Sequence, residues 1–283
     1  MTPTRGTGVS VSLELAGLGG NIRTWRPTVD YRWFHPAGGN RVFGMHLLGS
    51  TQSGYGGRLI PPFSRFYVGG ETDIRGFDFF TISPIVFIAD TATMNVLNAD
   101  GTPRITTGLN NIGQEAQQAQ VMTVPINRIT FPGGDTKLIG NFEYRIPILG
   151  PVTLAVFGDI GLNTVWRKSQ LQLTDQRLQQ LSSQFPDISF KKQLEISKGS
   201  NSQWRASTGL ELQVVLPIVN APFRVYWAYN PLRFNSNISP APLADRSLFP
   251  NNTSYQSYIT AFGSPRSFSE PKRTFRFTIG RTF

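Results

Sequence analysis

The opening residues set a rhythm that returns along the whole chain. Val9, Val11, Leu13 and Leu15 alternate with Ser10, Ser12 and Glu14, the period of two expected of a strand with one apolar and one polar face. Gly17-Leu18-Gly19-Gly20 marks a turn. A second strand carries Trp25, Val29, Tyr31 and Trp33 on one face and Thr28, Asp30 and Arg32 on the other. A third, over 41–50, groups Phe43, Met45 and Leu47. At 136–148, Leu138, Gly140, Phe142, Tyr144 and Ile146 oppose Lys137, Asn141, Glu143 and Arg145. At 152–166, Leu154, Val156 and Ile160 oppose Thr153, Phe157 and Asp159. The sixth strand, 205–216, sets Ala206, Thr208, Leu210, Leu212 and Val214 against Ser207, Gly209, Glu211 and Gln213. The seventh, 223–229, turns Phe223, Val225, Trp227 and Tyr229 outward until Asn230-Pro231. The eighth, 273–283, aligns Phe275, Phe277, Ile279 and Phe283 against Thr274, Arg276, Thr278, Gly280 and Thr282, with Arg281 on the apolar face.

Between these strands, short turns near 36–40, 150–151 and 217–222 alternate with long connections at 51–135, 167–203 and 232–272. The first long connection shows no dependable period. The second holds Leu171, Leu178 and Leu181 at a spacing that suits a short helix. All three are read as elaborated loops of one domain spanning 1–283. Most strands approach the ~9–11 residues that cross a bilayer when tilted. The pattern therefore predicts an all-β fold, an antiparallel transmembrane β-barrel of about eight strands.

Composition sharpens the picture. No window approaches the ~18 consecutive apolar residues of a membrane helix, which leaves barrel strands untouched. The net charge of +10 over 283 residues is scattered, often at alternate strand positions, and suits lumen lining better than nucleic acid. Cysteine is absent, and His35 and His46 lack metal-type spacing. The N-terminal residues contain no apolar signal region, so an exported barrel is expected to be a piece of a longer precursor.

Candidate chemistry concentrates at 65–80, RFYVGGETDIRGFDFF. Gly69 and Gly70 permit a sharp reversal. Gly76 lets backbone approach beside Arg75, whose planar fork suits a carboxylate. From the residues alone, a surface loop and a buried latch both fit.

Gly69-Gly70 followed by Ile74-Arg75-Gly76-Phe77 resembles the signature of outer-membrane assembly barrels, the BamA or bacterial surface antigen family. Phe157-Gly158-Asp159-Ile160-Gly161 with Val165-Trp166 is similar to that family's F-x-D-x-G…V-W strand. Asn141 to Pro147 resembles its x-E-[YF]-R-x-P strand, and Phe275, Phe277, Ile279, Gly280 and Phe283 resemble its C-terminal signal strand. The resemblance implies a loop folded back into the barrel, with Arg75 pairing to Asp159 and Glu143 and Phe77 packing near Phe157. It implies half of a sixteen-stranded barrel, without the periplasmic POTRA domains and with the first strand left as an open edge. The implied activity is folding and insertion of other outer-membrane proteins in the bacterial outer membrane. Its implied partners are outer-membrane lipid, nascent outer-membrane proteins and assembly lipoproteins, with no nucleic acid, cofactor or metal.

Other readings stay open: a related translocator of a secretion or autotransporter system, a passive porin, or a soluble β-sandwich. Glu143 and Asp159 would also suit a glycosidase carboxylate pair. A neighbouring Arg75 would depress both acids rather than raise one, so no enzyme is expected.

Overall fold

A computed structural model describes residues 3–17, 19–109, 115–215 and 222–279. Eight strands follow one another in a single antiparallel sheet. They are β1 (Gly6–Ala16), β2 (Thr24–Pro36), β3 (Val42–Thr51), β4 (Thr136–Leu149), β5 (Val152–Thr164), β6 (Trp204–Val215), β7 (Pro222–Leu232) and β8 (Arg273–Ile279). Each pairs with its sequence neighbour, in the order β1 to β8, and Ser53–Gly54 adds a short pairing to β2. Among the described residues, β1 and β8 do not pair with each other, so the barrel wall is open along both edges.

Alternation decides which face is which. Val9, Val11, Leu13, Leu210, Leu212, Phe275 and Phe277 are exposed on the outer face, as lipid-facing barrel positions are. Across the same wall, Asn141, Glu143, Asp159, Glu211 and Arg224 are buried on the inner face. The sheet is polar inside and apolar outside. No helix of the described residues is long and apolar enough to cross a membrane.

The fifth strand ends at Thr164, short of the expected Trp166. The seventh strand does not stop at Asn230-Pro231 but runs on to Leu232. The register slips there, between Ala206 and Thr208 of β6, and this irregularity accommodates a proline that has no N–H to donate. The final strand is described from Arg273 to Ile279. Gly280, Arg281, Thr282 and Phe283, together with Leu18, the expected end of the sixth strand at Leu216 and the 217–221 part of a turn, lie outside the described residues.

The long connections all leave the same end of the wall and are more ordered than their sequence suggests. Val86–Asn95 pairs antiparallel with Val121–Thr130, and Ile105–Leu109 with Glu115–Ala119. Glu195–Ile196 joins the first of these hairpins. Helix α1 (Asp175–Gln184) starts at Thr174, whose side chain accepts from Arg177 N, a standard N-cap. It includes Leu178 and Leu181 but not Leu171. Helix α2 (Asn252–Tyr258) lies in the third connection beside a small hairpin, Asn235–Ile238 with Arg266–Ser269. Val124, Ile126, Ala244, Phe249 and Tyr258 form a shared core, so these connections make a joint dome.

Candidate functional site

The first long connection enters the lumen before it builds the dome. Its two legs are tied at the neck by Val68 and Ile82, which exchange both backbone hydrogen bonds at 3.3 and 2.9 Å. Asn163 of β5 donates to Phe66 O at 2.8 Å and to Ile82 O at 2.7 Å. One buried amide thereby clamps both legs to the wall.

Gly69 and Gly70 reverse the chain with φ of +118° and +99°. A Cβ on Gly69 would sit 2.3 Å from Asp78 O, and one on Gly70 would sit 2.2 Å from Phe79 Cδ1. Only glycine meets both the conformation and the space. Beyond this turn, Ile74 and Phe77 are fully buried with Val68, Ile82 and Ile139.

Arg75 lies between them with no solvent exposure. Its Nε and Nη2 donate to the two oxygens of Asp159, each at 2.8 Å, and its backbone N donates to Asp159 Oδ2 at 2.9 Å. Nη1 lies 3.2 Å from Glu211 Oε2 and 3.5 Å from Glu143 Oε2. The guanidinium carbon stands 3.8 Å from the centre of the Phe157 ring, a cation–π contact in a desolvated setting. Burial works against the charge, but Asp159 first, then Glu143 and Glu211, outweigh it and hold the Arg75 pKa above its ordinary value.

The charges around Arg75 are balanced. Arg145 Nε donates to Glu143 Oε1 at 3.0 Å. Arg224 makes a bidentate pair with Glu211, both bonds at 2.6 Å. Gln213 Nε2 bridges the two glutamates at 2.8 and 2.7 Å. Three carboxylates (Glu143, Asp159, Glu211) therefore face three guanidiniums (Arg75, Arg145, Arg224). A buried cluster of this kind is tolerable when each charge is paired and hydrogen-bonded.

The loop tip also reaches the last strand of the sheet. Gly76 O accepts from Asn230 Nδ2 of β7 at 2.9 Å and from Thr274 Oγ1 of β8 at 2.7 Å. Arg276 of β8 pairs with Asp78 and lies 4.0 Å from Glu71. Gly76 itself has φ of +90°, and a Cβ there would meet Asn230 Oδ1 at 2.4 Å.

The structure thus brings Arg75, Asp159, Glu143 and Phe157 together. Gly161 sits beside them for a steric reason, since a Cβ there would lie 2.5 Å from Ile74 Cδ1. Phe77, however, does not pack near Phe157. The Arg75 guanidinium covers that ring, and Phe157 packs with Tyr226 and Ala228 while Phe77 joins the Ile74 cluster. Phe275, Phe277 and Ile279 point outward from β8, away from the loop. Glu211, Arg224, Asn230 and Thr274 complete the site without having been singled out in the sequence. Glu211 and Thr274 stood on polar faces there, but their reach to the loop depends on cross-strand register.

Fold and site together define a transmembrane β-barrel protein whose lumen holds an inward-folded loop with an arginine at its tip. The Omp85 superfamily domain matches residues 1–283, and the chain belongs to that superfamily, outer-membrane proteins of bacteria. Two curated relatives are each named outer membrane protein assembly factor BamA. The one from Nitratidesulfovibrio vulgaris is 33% identical over 84 residues, and the one from Neisseria meningitidis serogroup B is 34% identical over 88. These alignments cover 29% and 30% of this chain and 11% of each relative. Among solved structures, BamA from Haemophilus ducreyi lacking POTRA domains 1–3 superposes with a TM-score of 0.47 at 16% identity, over 98% of this chain and 39% of that one.

Proposed function

We propose that this chain is the barrel part of an outer-membrane assembly factor that folds and inserts other β-barrel proteins, acting without cofactor and without enzymatic chemistry. The observation that carries the reading is the lumen loop, which ties the Arg75 cluster to the edge strand β8 through Gly76, Asp78, Thr274 and Arg276. An edge strand with unpaired backbone groups is a template for another strand. A loop that grips such an edge from the lumen sets how far it stands open. Superfamily membership and the BamA names of the relatives support the same role. In this reading the open edges of β1 and β8 belong to a larger barrel, in which nascent outer-membrane proteins and assembly lipoproteins are the partners. A lumen occupied by the loop disfavours a passive pore.

The test is reconstitution of the full natural protein in liposomes, with an unfolded outer-membrane barrel protein added as client. Client folding well above the rate in empty liposomes supports the proposal. Folding at the empty-liposome rate, with steady ion conductance, would identify a pore instead.

A further inference from the structure

The outer face of β2, β3 and β4 has a notch at its loop-side end. Gly49 of β3 has no side chain, and the cavity beside it, about 410 Å³, is lined by Pro27, Val29, Leu138, Trp166 and Arg167. These strand positions share the lipid-facing parity, and Val29 and Leu138 are exposed on it. The long connections leave this end, which places it toward the cell exterior. Three of the five tryptophans, Trp25, Trp166 and Trp204, lie at the same level near the strand ends, where membrane interfaces concentrate them.

Arg167 stands at the upper lip of the notch. Its backbone N donates to Asp135 Oδ2 at 2.7 Å. Nη1 donates to Thr51 Oγ1 at 2.8 Å and to Gln52 O at 3.4 Å, and its Cζ lies 5.5 Å from the Trp25 ring centre. Among the described residues its side chain forms no ion pair with a carboxylate, and Nε and Nη2 have no protein acceptor. The guanidinium is therefore held in place by Thr51 and Trp25 with two donor nitrogens to spare. Trp166, three-quarters exposed, flanks it. An apolar slot beneath an oriented, unneutralised cation at a membrane interface has the chemistry of a lipid site.

We propose that this notch binds one phosphate-bearing lipid of the outer leaflet, its acyl chain lying over Gly49 between Val29 and Leu138 and its phosphate accepting from Arg167. The charge of Arg167 selects an anionic headgroup, and the missing side chain at Gly49 provides the slot.

Native mass spectrometry of the detergent-solubilised full chain tests this, with phosphatidylglycerol and uncharged diacylglycerol as probes. The expected result is one retained phosphatidylglycerol, bound roughly tenfold more tightly than diacylglycerol, the scale of one charge-assisted hydrogen bond. Arg167→Gln removes that preference. Gly49→Leu, which fills the slot without touching the arginine, weakens both lipids. Excess inorganic phosphate leaves the lipid bound. Equal retention by wild type and Gly49→Leu, or displacement by inorganic phosphate, would overturn the proposal. The second result would mark a free-anion site.

Discussion

Asp159 accepts three hydrogen bonds from one residue, Arg75: two from the guanidinium and one from the backbone N that precedes it. The side-chain pair fixes charge, while the backbone bond fixes where the loop itself stands. A lysine at position 75 would keep the charge and lose the fork. Removing either partner strands a buried charge, which typically costs about 3–5 kcal/mol. Arg75→Ala and Asp159→Asn are each expected to lower the unfolding temperature in detergent. The double variant is expected to lose less than the sum of the two, read from a double-mutant cycle.

Gly161 and Ile74 form a size-complementary pair. Because a Cβ at 161 would fall 2.5 Å from Ile74 Cδ1, Gly161→Ala is expected to push the loop off the wall at a cost of about 1–3 kcal/mol. Ile74→Val removes the clashing methyl and should recover part of that loss. Thermal melts of the two single variants and the double variant decide it.

The contact between the loop tip and the last strand predicts a local effect. Thr274→Val deletes the bond to Gly76 O and leaves the sheet pairing of β8 with β7 intact. Its cost should be about 1 kcal/mol, felt at the edge. Amide exchange across 273–279 is expected to accelerate while exchange in β4 and β5 stays unchanged. Uniform acceleration throughout the wall would mean that Thr274 serves global stability instead.

Much of the wall was legible because lipid on one side and a polar lumen on the other impose a strict period of two. Glu143 and Asp159 could be placed on the lumen face from that period alone. The dome was not legible for the converse reason. In the run Val86-Phe87-Ile88, Val86 and Ile88 pack with Val165 and Leu171, while Phe87 packs with Ile85 and Phe234. Both faces are covered, so the strand shows a continuous apolar run with no alternation. Glu211 and Arg224 were hidden differently. Their types and faces were visible, but their place around Arg75 follows from β6 and β7 lying two and three strands along from β4, which no spacing within one strand reveals.

The Arg75 cluster holds the loop inside the lumen, and a chain without cysteine lets one introduced thiol report on that hold. Val68 is fully buried in the loop's packed neck, and Val68→Cys places one thiol there at nearly conserved volume. The measurement is the rate of maleimide labelling of that thiol in the folded, membrane-embedded protein, with and without Arg75→Ala. Slow labelling that rises roughly a hundredfold or more in the Arg75→Ala background, as loss of a latch worth about 3–5 kcal/mol requires, is the predicted result. Equal rates in the two backgrounds would show that the loop stays in place without its arginine and that the cluster is no latch.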